Sequence, residues 1–201
     1  MLENRDYTIV IDKSGSMAAQ DQQEGDSRWT LMQQCTLALA RKCEEFDPDG
    51  ITVYVFSNRF QRYDNVTSSH VEEIFRESQP HGSTNLTGLL QDAIANYFSR
   101  KSIGQTKSAG ETIIIVTDGE LRDRLSIADT IVKASQRMER DEELAILFVQ
   151  VGNDSMVMRS LKSFDDQLEG IGAKFDIVDT ITMEEMEDMP LTDVLLNAIV
   201  D

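Results

Sequence analysis

The chain has 201 residues, 36 of them acidic and 19 basic, for a formal net charge of -17 at pH 7. That length suits one domain spanning residues 1–201, able to bury about two-thirds of its unfolded surface without disulfides. The acidic field repels phosphate backbones and anionic lipid, so nucleic acid is excluded as the expected partner. Met1 to Asp6 is polar and charged, unlike a signal peptide, and no apolar run approaches the roughly 20 residues that cross a bilayer. The expectation is a cytoplasmic protein without membrane insertion; the oligomeric state is not legible.

Five apolar runs read as strands buried on both faces: Tyr7 to Ile11, Ile51 to Phe56, Thr112 to Thr117, Leu144 to Val151 and Ala173 to Val178. Helical spacing fills the gaps between them. The first helix is predicted from about Ser27 to Phe46, with Met32, Cys35, Thr36, Leu39, Cys43 and Phe46 on one face. Cys35 and Cys43 fall roughly 12 Å apart along that helix, too far to bridge each other, and read as reduced core thiols. Pro48, Asp49 and Gly50 stop the helix. Ser57 and Asn58 turn the chain into a short strand, Arg59 to Tyr63, with too little connection for a parallel crossover.

Ser69 and Glu72 have capping-box spacing ahead of a helix with Val71, Ile74 and Phe75 inward. A helix over Leu86 to Lys101 buries Leu86, Leu90, Ala93, Ile94 and Tyr97. Later helices begin near Asp123 and Asp154, each expected as an N-cap, Thr182 and Glu185 suggest another capped turn, and Pro190 opens a C-terminal helix. The expected fold class is α/β: a doubly wound, mostly parallel sheet of about six strands, with one antiparallel edge strand and helices on both faces.

Asp12, Ser14 and Ser16 follow the first strand as Asp-x-Ser-x-Ser, a carboxylate and two hydroxyls on a glycine-containing turn. Such hard oxygen donors suit a small divalent cation. In an open parallel sheet, ligands bind beyond the carboxyl ends of the strands where strand order reverses. Asp118 ends the Ile113 to Val116 strand, so neighbouring first and fourth strands would bring both carboxylates into one crevice. The two would repel each other there, and either a proton or a cation would relieve them. Gly82 to Gly88 is a polar turn able to add one hydroxyl to the same rim.

With these three motifs the chain resembles the von Willebrand factor type A domain family: Asp-x-Ser-x-Ser as Asp12, Ser14 and Ser16, the Gly-Ser-Thr turn with Thr84, and Thr-Asp-Gly-Glu with Asp118. The resemblance implies a metal ion-dependent adhesion site. Ser14 and Ser16 would bind the ion directly, and Thr84, Asp12 and Asp118 directly or through water. Thr87, one helical turn from Thr84, is the alternative hydroxyl. Mg²⁺ or Mn²⁺ suits a compact octahedral site, and Ca²⁺ fits less well. The implied function is recognition of a partner protein's Asp or Glu carboxylate, with no catalysis.

Two other readings compete. A strand followed by Asp-Lys-Ser-Gly-Ser superficially resembles the Asp-x-Asp-Gly-Thr of Mg²⁺-dependent haloacid dehalogenase phosphotransferases, yet Ser14 stands where that chemistry needs an acid/base Asp. Asp165 and Asp166 imitate its late acidic pair but fall inside a predicted helix. The other is a scaffold domain that binds no metal. Asp21, Glu24 and Asp26 read as a solvated acidic loop in preference to a second cation site. His70 and His81 read as neither ligands nor bases.

Overall fold

The computed structural model describes residues 1–200 except Gln23, Glu24 and Asn153, and the side chains of all but Phe164, Asp165 and Glu169 among them. In chain order the strands are β1 (Asp6–Asp12), β2 (Ile51–Phe56), β3 (Phe60–Val66), β4 (Glu111–Thr117), β5 (Leu144–Gln150) and β6 (Val178–Thr182). The helices are α1 (Arg28–Phe46), α2 (Ser68–Glu77), α3 (Leu86–Ser102), α4 (Arg124–Arg137), α5 (Ser155–Asp165), α6 (Met183–Glu187) and α7 (Leu191–Val200).

Among the described residues the strands form one sheet in the order β3-β2-β1-β4-β5-β6. All pairs are parallel except β2 with β3, where Phe56 faces Phe60 and Ile51 faces Val66. Alternate residues of each strand point to opposite faces, so two cores form. Val10, Ile113, Ile115, Ile146 and Phe148 pack under α3 and α4. Ile9, Ile11, Ile114, Val116 and Leu147 pack under α1, α2 and α7. The mostly parallel, two-sided sheet of six strands is the expected fold class.

The chain leaves β1 toward β2 and β3 on one side and returns to β4, β5 and β6 on the other. Strand order therefore reverses between β1 and β4, whose register runs from Asp6 opposite Glu111 to Ile11 opposite Val116. Their carboxyl ends are where an open parallel sheet of this kind offers a ligand site.

Three local expectations need correction. The last strand is Val178–Thr182, not Ala173 to Val178. The earlier segment is held as a loop, with Ala173 N–H donating to Leu168 and Lys174 bound to the Ser135 hydroxyl and the Met138 carbonyl. Its apolar Phe175 and Ile177 pack on the core from irregular chain, while the strand itself is disguised by Asp179, Thr180 and Thr182. The Ser69 and Glu72 capping box does not form. Thr67 holds the N-cap position of α2, Ser68 N–H donates to Glu44 of α1 at 3.0 Å, and Glu72 turns to Arg41 and Arg76. Asp123 stands at the α4 N-cap position without capping it; its carboxylate is engaged elsewhere. The Thr182 and Glu185 box and the Asp154 cap are both present.

Candidate metal centre

Asp12 is the last residue of β1 and is fully buried. Its Oδ1 accepts from the Ser14 N–H at 2.8 Å, which sets the turn, and its Oδ2 accepts from the Thr117 hydroxyl at 2.7 Å, which ties the end of β1 to the end of β4. Burial pushes the Asp12 carboxyl up to about 6; hydrogen bonds from Ser14 and Thr117 oppose the shift, and Asp118 reinforces it. A short 3-10 turn over Gly15–Ala18 drops Met17 into the core, and that anchor leaves the Ser14 and Ser16 hydroxyls 3.1 Å apart.

The second loop is stitched to this turn. Gly15 N–H donates to the Gly82 carbonyl at 3.0 Å, and His81 N–H donates to the Lys13 carbonyl at 2.8 Å. A Cβ at position 15 would sit 3.3 Å from the Gly82 carbonyl oxygen, so glycine permits the close approach. Gly82 has φ +80°, and a side chain there would drive into Asn58, whose Oδ1 accepts from the Ser83 hydroxyl at 2.9 Å. Asn85 N–H completes the junction on the Ser57 carbonyl at 3.1 Å. Thr84 is half-buried in the middle of this loop, and its hydroxyl has no partner among the described residues. Thr87 differs: its N–H (3.1 Å) and its hydroxyl both donate to Asp123 Oδ2, locking the start of α3 to the start of α4.

Asp118 follows Thr117, and its side chain is fully shielded from solvent. Its Oδ1 accepts from the Glu120 N–H at 3.2 Å, and its Oδ2 accepts from Arg28 Nη1 at 3.1 Å. Arg28, at the first position of α1, also pairs with Asp21 at 2.6 Å and reaches Glu120 at 3.8 Å. Hydrogen bonds from Arg28 and Gln22 hold the Asp21 carboxyl down to about 2. Asp21 is thus occupied by an internal cation, Asp26 is half-exposed, and Glu24 lies outside the described residues.

Arg28 escaped the reading of the sequence, though a signal was there. A cation in the first turn of a helix opposes the macrodipole and needs a local anion to justify it. Thr117 was likewise counted only as a strand residue, yet it orients Asp12. The His81 backbone helps to join the two loops, but its ring is turned to the Gln79 carbonyl through Nδ1, and His70 lies against the Tyr63 ring. Asp166 is the C-cap of α5 and far from a strand end in sequence, and the Asp165 side chain lies outside the described residues.

Hydrogen bonds thus join the Asp12, Ser14 and Ser16 turn to the loop that carries Thr84 and, through Thr117, to the end of β4 that precedes Asp118, while Arg28 pairs with both Asp118 and Asp21. No group of three or more His, Cys, Asp or Glu poised for a metal occurs among the described residues. The donor set here is two carboxylates and hydroxyls.

Residues 7–120 match the family described as von Willebrand factor type A domain. Copine-A of Dictyostelium discoideum is 33% identical over 117 residues, which is 56% of this chain but only 18% of that relative's length. Among solved structures, the D319A mutant of the PilB minor pilin from Streptococcus sanguinis superposes with a TM-score of 0.66 at 14% identity, over 97% of this chain and 61% of that one. The manganese-loaded TRAP protein of Plasmodium vivax superposes with a TM-score of 0.56 at 18% identity, over 92% of this chain and 71% of that one. These likenesses support the fold, and the sequence match over more than half the chain carries the conclusion: the protein belongs to the von Willebrand factor type A domain family.

Proposed function

We propose that this domain binds a partner protein through a divalent cation held by Asp12, Ser14, Ser16, Thr84 and Asp118, the cation meeting an Asp or Glu carboxylate of the partner. Domains of this family are typically protein-binding modules without catalysis. The carrying observation is that two buried carboxylates, Asp12 and Asp118, lie at the ends of strands tied together by Thr117, with two hydroxyls 3.1 Å apart on the turn that follows Asp12. Adjacent ligands of an octahedral ion with bonds of about 2.1 Å sit about 3.0 Å apart, so the Ser14 and Ser16 hydroxyls fit one edge of such a shell.

When bound, Mg²⁺ or Mn²⁺ supplies a Lewis-acidic centre whose charge the few carboxylates do not fully offset. The chain's own residues prepare for it. Thr117 and the Ser14 N–H orient Asp12, Arg28 and the Glu120 N–H orient Asp118, and the Thr84 hydroxyl is left uncommitted. The TRAP protein, manganese-loaded in its structure, lends weight to Mn²⁺ as a ligand of this fold. Nucleic acid stays an unfavourable partner on charge, and among the described residues no helix is long and apolar enough to cross a membrane.

Calorimetric titration of Mg²⁺, Mn²⁺ and Ca²⁺ into the wild type and the Ser14→Ala/Ser16→Ala variant tests the site. Heat in the wild type that disappears in the variant is expected, and equal heats in both would sink the assignment. Partner capture with and without chelator tests the bridge, which chelator-insensitive capture would refute. Mg²⁺-dependent hydrolysis of a generic phosphate ester that Asp12→Asn abolishes would favour the phosphotransferase reading instead.

A further inference from the structure

We propose that Arg28 is a displaceable counter-ion of the candidate metal centre: a divalent cation takes its place on Asp118, and the guanidinium withdraws onto Asp21. The inference rests on the reading of the site as a cation centre and adds Arg28 and Asp21 to the residues that set its affinity.

The guanidinium joins two carboxylates in unlike settings. The Asp118 side chain is fully shielded from solvent, whereas that of Asp21 is 45% exposed. The hold on them is unequal. Nε donates to both Asp21 oxygens at 3.1 Å and Nη2 to Oδ2 at 2.6 Å, while Nη1 alone donates to Asp118, at 3.1 Å, and stands 3.8 Å from Glu120. The forked face of the group therefore belongs to Asp21, and one arm is left for Asp118.

The placement of Arg28 argues for a role beyond holding the loop. Arg28 opens α1, where the macrodipole disfavours a cation, and a buried Asp118 without a counter-ion would be costlier still. Asp118 thus takes positive charge from an arm that can leave. A divalent cation brings twice that charge to the same carboxylate, and guanidinium and ion repel strongly in a site shielded from water. The guanidinium is the one that yields, because it gives up a single bond, keeps its bonds to Asp21 and has Glu120 beside the freed Nη1. Asp12 differs, since its carboxylate accepts from the Ser14 N–H and the Thr117 hydroxyl, both neutral. The exchange also reaches the loop between the Ser16 turn and α1: Asp21 lies in it, and the Arg28 N–H donates to the Ala19 carbonyl at 3.0 Å.

Calorimetric titration of Mg²⁺ into the wild type, Arg28→Gln, Asp21→Asn and the double variant tests the exchange. Arg28→Gln should bind Mg²⁺ about tenfold more tightly. Asp21→Asn confines the guanidinium to Asp118 and should weaken Mg²⁺ binding about fivefold, but by less than about twofold once Arg28 is replaced. An ion pair with only a structural role would move both single variants the same way. In EDTA, Arg28→Gln should melt about 4 °C below the wild type because Asp118 loses its counter-ion, and saturating Mg²⁺ should close most of that gap. Weaker binding in both single variants, an equal loss from Asp21→Asn in either background, or a melting gap that Mg²⁺ leaves unchanged would overturn the exchange while the cation site stands. No Mg²⁺ heat in any of the four proteins would remove the site, and the exchange with it.

Discussion

At the amino ends of the strands, Glu111 is buried against Arg100 and the Thr8 hydroxyl, Asp47 against Lys107, and Glu143 against Lys101 at 2.7 Å. Arg5, fully buried, spends its guanidinium on the Thr112 hydroxyl and the carbonyls of Ala109, Glu111 and Glu142. At the carboxyl ends, Asp12 and Asp118 are as deeply buried, yet Asp12 has only neutral donors and Asp118 shares one guanidinium with Asp21. Both ends bear the desolvation cost of charge. The amino end answers it with several ion pairs inside the fold, whereas at the carboxyl end, where strand order reverses, the described residues offer these two carboxylates one guanidinium, Arg28, shared with Asp21.

Breaking the amino end should have the largest effect. Arg100→Met leaves the Glu111 carboxylate buried without its cation and should cost about 3 kcal/mol of unfolding free energy, read from urea denaturation. A loss below about 1 kcal/mol would place these pairs with weak surface salt bridges. At the other end the expectation reverses. Asp118→Asn removes one of two repelling anions, so stability in chelator should change by less than about 1 kcal/mol, while Mg²⁺ affinity by calorimetry should fall at least about a hundredfold, or about 2.7 kcal/mol. An equal loss of stability at both ends would erase the distinction between them.

The contrast was partly legible in the sequence. Asp12, Ser14, Ser16 and Asp118 could be placed because each ends or follows an unbroken apolar run, and a buried strand announces its end. The alternation of strands and helices indicated a parallel sheet and the tight Ser57–Asn58 turn an antiparallel edge, but that β1 and β4 are the neighbours at the reversal stood only as a condition until the sheet order was seen. The pairs of the amino end were invisible, because Arg100 and Glu111, or Lys107 and Asp47, meet only through tertiary packing. β6 was misplaced for a related reason: its polar Asp179 and Thr180 occupy an edge strand, while the more apolar Phe175 and Ile177 reach the core from a loop. Arg28 shows what a broken local rule is worth, since its position against the helix dipole makes sense only once Asp118 and Asp21 are beside it.

That position sharpens the comparison from the side of charge. Arg28 already sets positive charge beside Asp118, so it should repel an arriving cation. Arg28→Gln should therefore raise Mg²⁺ affinity about tenfold, equivalent to about 1.4 kcal/mol. Unchanged or weaker binding would mean that Arg28 serves only to orient Asp118.

The smallest effect distinguishes two threonines three residues apart on the same rim. Thr84 has an uncommitted hydroxyl, while Thr87 gives its N–H and hydroxyl to Asp123 Oδ2. Asp123 Oδ1 is itself buried without a partner among the described residues, so the Thr87 bonds are what satisfies that carboxylate. Thr87→Val should thus cost about 1 kcal/mol of stability through the lost hydrogen bond and leave cation affinity as it was. Thr84→Val should do the opposite, weakening Mg²⁺-dependent partner capture about three- to tenfold, or up to about 1.4 kcal/mol, with the denaturation midpoint unmoved. If Thr87→Val were the variant that lost cation binding, the hydroxyl would have to leave Asp123 to reach the ion, and the start of α4 would be coupled to the metal centre.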